Sequence, residues 1–327
     1  MTVKGTEMAM SMTRRGAMAA GAALALGARG AHAQRGYPDR AIRVIVPYAA
    51  GGADQFIRPL QNRISQALGQ PMVIDSVTGA GGAVGATRVK TAAPDGYTLL
   101  FAGTGALTAV PRLQHLPLSI ADFAPIANLI AIPYVLAGRR GARFTDLAGF
   151  LREAKARPEG LSYGTPGVGS TPHLVMESLC RAAGVTLLHV PYSGVSTAVV
   201  ALLAGDIDLV MGAPSAIMPL VERGVLPLVQ TGAQRSAVLP DLPTLREAGL
   251  DVELVTRFGF FAPKGTDAAV LDRWASLILE GGADPAFIEA MHRAYNDVEL
   301  LDRPRFQSFI AQEDAATARL LGELNLR

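Results

Sequence analysis

Short apolar runs of β type alternate along this chain with stretches of helical period, and glycine clusters sit at many of the joins. Residues 42–46 (IRVIV) and 72–74 read as short buried strands. Between them Phe56, Leu60, Ile64 and Leu68 recur every four residues, the apolar stripe of a helix. Gly69 closes that helix. "VTGAGGAVGATRVKTAAPDG" then gives a Gly-rich turn, a second helix and a Pro-Asp-Gly turn, and residues 97–102 (YTLLFA) form a third strand. Strands that alternate with helices must lie mostly parallel, with the helices covering both faces of the sheet. An α/β fold with a parallel-type sheet follows.

The pattern pauses at "FAPIANLIAIPYVLAGRR", where two apolar runs flank Pro133. It resumes with Thr145 as an expected N-cap for a helix over 146–157. "LSYG", "LLHV", "IDLVMG" and "LPLVQT" read as four more strands, and Thr171-Pro172 as an N-cap with proline at the first helical position. After the extended run "TRFGFFAPKGT" only helices are expected: 267–280, 285–294 and a C-terminal region from Arg303. Two βα blocks bracketed by extended runs near 133–138 and 257–262 predict two lobes, residues 34–136 with 259–327 and residues 137–258.

The N-terminus carries an export layout. "TRRGAMAAGAALALGARGAHAQ" has a basic start, an Ala/Leu stretch too short to span a bilayer, and "AHA" at Ala31–Ala33. Residues 1–33 are expected to be a signal peptide cleaved after Ala33, by the Sec or the twin-arginine route given Arg14-Arg15, which places the protein in the periplasm. That segment holds four of the 30 bases and one of the 28 acids, leaving 26 against 27. A near-neutral body gives no support for a nucleic-acid partner. Cys180 is the only cysteine, so no intrachain disulfide can form, and its helical apolar setting reads as a small buried hydrophobe.

Three loops carry the chemistry. "YAAGGAD" (48–54), "VTGAGGA" (77–83) and "YGTPGVGSTPH" (163–173) each follow a strand and precede a helix. In open parallel sheets ligands bind beyond the carboxyl ends of strands, and free N–H groups at a helix start attract negative charge. A small anion could be held this way without arginine. The candidate binding residues of the first lobe are Tyr48, Gly51, Gly52, Ala53 and Asp54, then Gly79, Ala80, Gly81 and Gly82, with Thr104 and Gly105 after the third strand. In the second lobe Tyr192 and Ser193 follow a strand and could reach the cleft; His189 reads as a core or strand-end histidine. Nucleotide motifs fail: Val84 stands where a dinucleotide loop needs glycine, and no GxxxxGK[ST] occurs. No histidines have metal-ligand spacing and no GxSxG elbow exists, so no cofactor and no catalysis are expected.

The chain resembles the substrate-binding proteins of tripartite tricarboxylate transporters, often called Bug proteins. The resemblance rests on "YPDRAIRVIVPYAAGGAD", "ALGQPMVID", "GAGGAVGA", "APDGYTLL", "DFAPIA", "LSYGTPGVGSTPH", "HVPYSG" and "LPDLPTLREAGL", in the family's order from Tyr37 to Pro263. It implies a periplasmic two-lobed Venus-flytrap fold (type II), capture of a small carboxylate, and handover to membrane permease subunits by a monomer. It also implies that backbone and small hydroxyl groups near Gly51–Asp54 and Gly79–Gly82 hold the carboxylate, while Thr165, Ser170, His173 and Tyr192 close over it; Thr171, beside Ser170, is a further candidate binding residue. A sensor subunit for a histidine kinase would share the fold; an exported α/β hydrolase is the other alternative.

The family pattern has a small hydroxyl residue and then Asp after "GGA", with Arg farther on. Here those positions are Asp54, Gln55 and Pro59, with Arg58 one residue early. "HVPY" is usually followed by Lys and here by Ser193. Two readings of Asp54 stay open: it faces ligand and repels a second carboxylate, or it turns inward as a helix N-cap.

Overall fold

The computed structural model describes residues 36–323. The expected signal peptide, residues 1–33, lies outside them. A compact unit begins at Ala41, and the architecture below belongs to it.

Two sheets organise this unit. The first is ordered β11 (Asp297–Leu301), β4 (Phe123–Pro133), β10 (Val255–Pro263), β3 (Thr98–Gly103), β1 (Ile42–Val46), β2 (Met72–Ser76). The second is ordered β7 (Leu188–Pro191), β6 (Ser162–Thr165), β8 (Leu209–Gly212), β5 (Val135–Arg139), β9 (Val225–Gln230). Each has a parallel core, β2-β1-β3 and β7-β6-β8, built from the strand–helix units that the sequence shows. Antiparallel strands complete each sheet: β10 beside β3, β5 beside β8.

Alternation along each strand assigns side chains to opposite faces. In β5, Val135 and Ala137 pack with Ala198 and Leu202 of α6 (Val195–Ala204), while Leu136 packs with Phe150 and Val175 on the other side. In the first sheet Leu100, Ala102 and Phe261 join Phe306 of α10 (Arg303–Glu323). Their neighbours Phe101 and Phe260 meet at a tilt on the opposite face, centroids 4.9 Å apart, and Phe260 stacks on Trp274 of α8 (Ala268–Gly282).

The chain passes from the first sheet to the second at Tyr134 and returns at Leu254. Polar bonds tie the two crossings together. Thr231 Oγ1 donates to the Leu254 carbonyl and accepts from the Tyr134 N–H at 2.9 Å, and the Tyr134 hydroxyl meets Thr256 Oγ1 at 2.7 Å.

Several local expectations change. The N-cap of α4 (Leu147–Ala156) is Asp146, not Thr145; its carboxylate accepts from Gly149 N–H at 2.6 Å. Likewise Ser170, not Thr171, caps α5 (Thr171–Ala183), which moves Pro172 to the second helical position. The stretch after residue 267 is not helix alone, because β11 precedes α10, which starts at Arg303 as expected. Asp146→Ala should cost about 1 kcal/mol in urea unfolding and Thr145→Ala under about 0.5 kcal/mol, since only the former removes a cap bond. Equal losses would show that the cap does not matter here.

Candidate functional site

The sheet registers bring one end of each sheet to a common place. Strand β4 runs parallel to β3, because both are antiparallel to β10. It ends at Pro133, and Val135 two residues later pairs with Gly212 at the end of β8. The carboxyl ends of β1, β2 and β3 therefore face those of β6, β7 and β8 across the Tyr134 crossing. All three sequence-predicted loops lie at this junction.

In the first loop Tyr48 turns inward. Its hydroxyl accepts from Gly103 N–H at 3.2 Å, its ring lies 6.0 Å from that of Phe258, and burial pushes its pKa well up. Tyr48 thus fastens the loop after β1 to the end of β3. Gly51, at φ 83°, is exposed, and Gly52 precedes a 3-10 turn at Ala53–Phe56. Asp54 sits inside that turn, fully buried, and caps nothing. Its Oδ2 takes both Nη2 of Arg58 at 2.6 Å and Nε at 2.7 Å. The resemblance places an Asp–Arg pair at positions 55 and 59, four apart. The same spacing is present at 54 and 58, where it forms this ion pair. Pro59 is the second residue of α1 (Arg58–Leu68) and bends nothing.

The second loop folds against the first. Gly79, Ala80, Gly81 and Gly82 all have positive φ, 132°, 47°, 65° and 103°. Three glycines in this run are a sequence signature with a steric cause. Gly85, in α2 (Ala83–Lys90), is closer still: a Cβ there would lie 2.7 Å from the Val77 carbonyl and 2.8 Å from Pro47 Cβ. Thr104 follows β3, fully buried, its N–H bonded to the Arg257 carbonyl at 2.9 Å. Gly105 opens α3 (Gly105–Leu113), and a Cβ on it would sit 3.0 Å from Thr171 Oγ1 of α5. A Cβ on Gly169 would meet Leu113 at 2.6 Å. Both contacts join elements that pack on different sheets.

The third loop is held from within. Thr165 is fully buried, with Oγ1 at 2.7 Å from His189 Nε2. Ser170 Oγ donates to the Gly167 carbonyl at 2.8 Å and accepts from His173 N–H. His173 Nδ1 accepts from Gly169 N–H at 3.1 Å, leaving the proton on Nε2, which faces Glu177 Oε1 at 3.7 Å. His173 stacks on His189 (4.2 Å), and His189 on Tyr163 (4.8 Å). Tyr192 is half-buried with its ring over Gly164, and Ser193 is exposed beside Thr197. Burial pushes the Cys180 thiol up to about 12, which leaves it protonated and unreactive at neutral pH.

Burial, with the neighbouring His173, lowers His189 from 6.5 to about 4, and burial lowers His173 as well. A depressed histidine pKa means that the unfolded chain binds more protons than the folded one between about pH 4 and 6.5. The stability is complete above pH 6.5 and is lost as pH falls towards 4. The melting temperature should therefore drop on acidification from pH 7 to 4.5, and drop less in His189→Gln. Parallel pH profiles for the two proteins would remove His189 from this role.

The helix starts divide into two groups. Those after β1, β2, β3, β7 and β8 have N-caps Gly52, Gly79 and Gly82, Thr104, Gly194 and Ala213, and none receives a side-chain cap bond. Those starting elsewhere, α4, α8 and α9 (Pro285–Arg293), are capped by Asp146, Asp267 and Asp284. Among the described residues, only α5, capped by Ser170, is a capped start at the junction. Uncapped N–H groups and aligned peptide dipoles from both sheets thus converge on one place, an arrangement that favours an anion.

Sequence reasoning missed Gly194 and the Ala213-Pro214 start of α7 (Pro214–Ile217). "GAPS" after the strand "IDLVM" was the available signal, a sixth strand-to-helix join. Among the described residues no helix is long and apolar enough to cross a membrane, and no three metal-binding side chains cluster.

A profile of the family described as tripartite tricarboxylate transporter family receptor matches residues 56–326. The UPF0065 protein of the gbd 5′ region of Cupriavidus necator is 35% identical over 93% of this chain and 88% of its own length. BugT of Bordetella pertussis is 30% identical over 85% of this chain and 87% of its own. MatC from Rhodopseudomonas palustris with bound malate superposes with a TM-score of 0.76 at 28% identity, over 87% of this chain and 100% of that one. The R. palustris protein Rpa4515 with adipate gives 0.79 at 27% identity, over 88% and 98%. With two sheets meeting at a shared cleft, and helix starts turned into it, this two-lobed chain belongs to the tripartite tricarboxylate transporter family of periplasmic receptors.

Proposed function

We propose that this protein is exported, binds a small carboxylate in the cleft between the two sheets, and delivers it to the permease subunits of a tripartite transporter without chemical turnover. The observation that carries this reading is the set of uncapped helix starts at the strand ends of both sheets. One carboxylate of the ligand takes backbone N–H groups around Gly51, Gly52 and Ala53 and around Gly79–Gly82, with the start of α3 at Thr104-Gly105 nearby. Tyr192 and Ser193 close from the second lobe. Thr165, Ser170 and His173 spend their polar atoms on the loop that they shape, and Thr171 meets Gly105; these four position the second lobe.

The lobes comprise residues 41–133 with 255–323, and residues 135–254, and they close about the Tyr134 and Leu254 crossings. Because Arg58 neutralises a fully buried Asp54, like charge no longer argues against a second carboxylate. Malate and adipate, the ligands of the R. palustris relatives, are accordingly the first compounds to test. The protein acts as a monomer once residues 1–33 have been removed.

Calorimetry against malate, adipate, short monocarboxylates and amino acids should find at least one saturable ligand, with compaction in solution scattering. If no carboxylate binds, or if the purified protein turns over esters, the reading fails. Mass spectrometry of the periplasmic protein should find Gln34 at the N-terminus.

A further inference from the structure

A second cavity lies beside the hinge. It has a volume of about 510 Å³, within the range of small-molecule pockets, which runs from roughly 300 to 1,000 Å³. Thr108 of α3, Thr171 and Leu174 of α5, Leu254 of the return crossing, and Phe309 and Glu313 of α10 line it. The close approach of Gly105 to Thr171 lies in its wall, and the Gly-rich stretches 48–54 and 77–83, with residues 163–170, are absent from it.

The wall contains one acid outside any ion pair. Arg257, whose charge reaches that acid, Glu313, only at longer range, is held bidentate by Glu299 and stacked 3.9 Å from the centre of the Phe309 ring. Arg181 pairs with Glu323, Arg246 with Asp251 and Glu253, and Arg112 with Asp314. Glu313 has no ion pair among the described residues, and its Oε2 is sealed from solvent without a hydrogen bond. It faces the Thr104 hydroxyl, also sealed and without a well-formed bond, and the Tyr134 hydroxyl at the crossing. Burial raises this carboxyl to about 7. A half-buried acid with one sealed and unbonded oxygen is stabilised by any donor or positive charge brought to it. The other lining is largely aliphatic carbon with hydroxyls that already donate elsewhere: Thr108 Oγ1 to the Thr104 carbonyl, Ser178 Oγ to the Leu174 carbonyl.

We propose that this hinge-flank cavity is a second binding site, specific for a small organic cation: a primary ammonium head directed at Glu313 and an apolar body against Leu174, Leu254 and Phe309. The occupant touches α3, α5, the return crossing and α10 together, so it links the two lobes. This assignment stands whether or not the other cleft takes a carboxylate.

Hexylamine, hexanol and hexanoate have the same body and differ in the head group. Binding to the whole protein is followed by NMR shifts and calorimetry at pH 7. Hexylamine should bind at least tenfold more tightly than hexanol, with hexanoate weakest, and Glu313→Gln should erase the preference. Ala316, an exposed residue on the cavity wall, gives an independent block, since Ala316→Phe should abolish binding while leaving the melting temperature unchanged. Equal binding of the three probes would overturn the charge assignment. Absence of binding by all three, or hexylamine binding untouched by Ala316→Phe, would overturn the site.

Discussion

Arg58→Ala should lower the stability of this protein by about 3 kcal/mol, the scale of stranding one partner of a buried ion pair. The asymmetry of the pair makes the effect large. Asp54 is 0% exposed, whereas the Arg58 side chain is 56% exposed. Arg58 loses little by returning to water; Asp54 has no route to water without unmaking the 3-10 turn that carries it. Its second oxygen, Oδ1, already lacks a hydrogen bond, so no neighbour stands ready to compensate. Removing both groups in Asp54→Ala/Arg58→Ala should recover at least half of the loss. Arg58→Lys should fall between, because a point charge cannot reproduce the Nε and Nη2 bonds to one oxygen. Urea unfolding measures all three; a loss below about 1 kcal/mol in Arg58→Ala would mean that the turn opens cheaply and that Asp54 reaches the cleft.

Gly105→Val should weaken ligand binding by about 10- to 100-fold with little change in the melting temperature of the free protein. The Cβ alone would lie 3.0 Å from Thr171 Oγ1, and a branched side chain makes the overlap worse. Overpacking of this kind costs about 1–3 kcal/mol, and each 1.4 kcal/mol is tenfold in affinity. The cost falls only on the arrangement in which α3 and α5 touch, so an open form escapes it. Thr171→Ala in the same chain should restore part of the affinity. Native affinity in Gly105→Val would show that the two helix starts need not meet for ligand to be held.

The parallel cores of both sheets were legible because their strands are apolar, short and followed by glycine. Strand β11 was not, and its residues show why. Glu299 holds Arg257 and accepts, through its carbonyl, from Asn128 Nδ2 at 2.7 Å. An edge strand whose polar side chains serve buried partners has no apolar alternation to read. Helix α3 was hidden by Pro111 within it, although it carries the Gly105 contact. The two displaced caps, Asp146 for Thr145 and Ser170 for Thr171, are neighbouring residues with equal capping chemistry, a choice that only backbone geometry decides. The Asp54–Arg58 spacing was visible as a four-residue interval, but its meaning required knowing that Asp54 is buried. Glu313 gave no signal at all, since its setting is made by α3, α5 and the return crossing, all distant in sequence.

The position of β10 between β3 and β4 has a consequence for assembly. A chain appearing N-terminus first presents β3 and β4 more than 100 residues before the strand that separates them, since they end at 103 and 133 and it starts at 255, while all five strands of the second sheet arrive without interruption. Until residue 263 has emerged, each of β3 and β4 carries an unsatisfied backbone edge, the kind of edge that recruits foreign strands. The second sheet can form first and the first sheet must wait. Ribosomal pausing or slow translocation between residues 139 and 255 would therefore lengthen the one interval in which this receptor is open to misassembly.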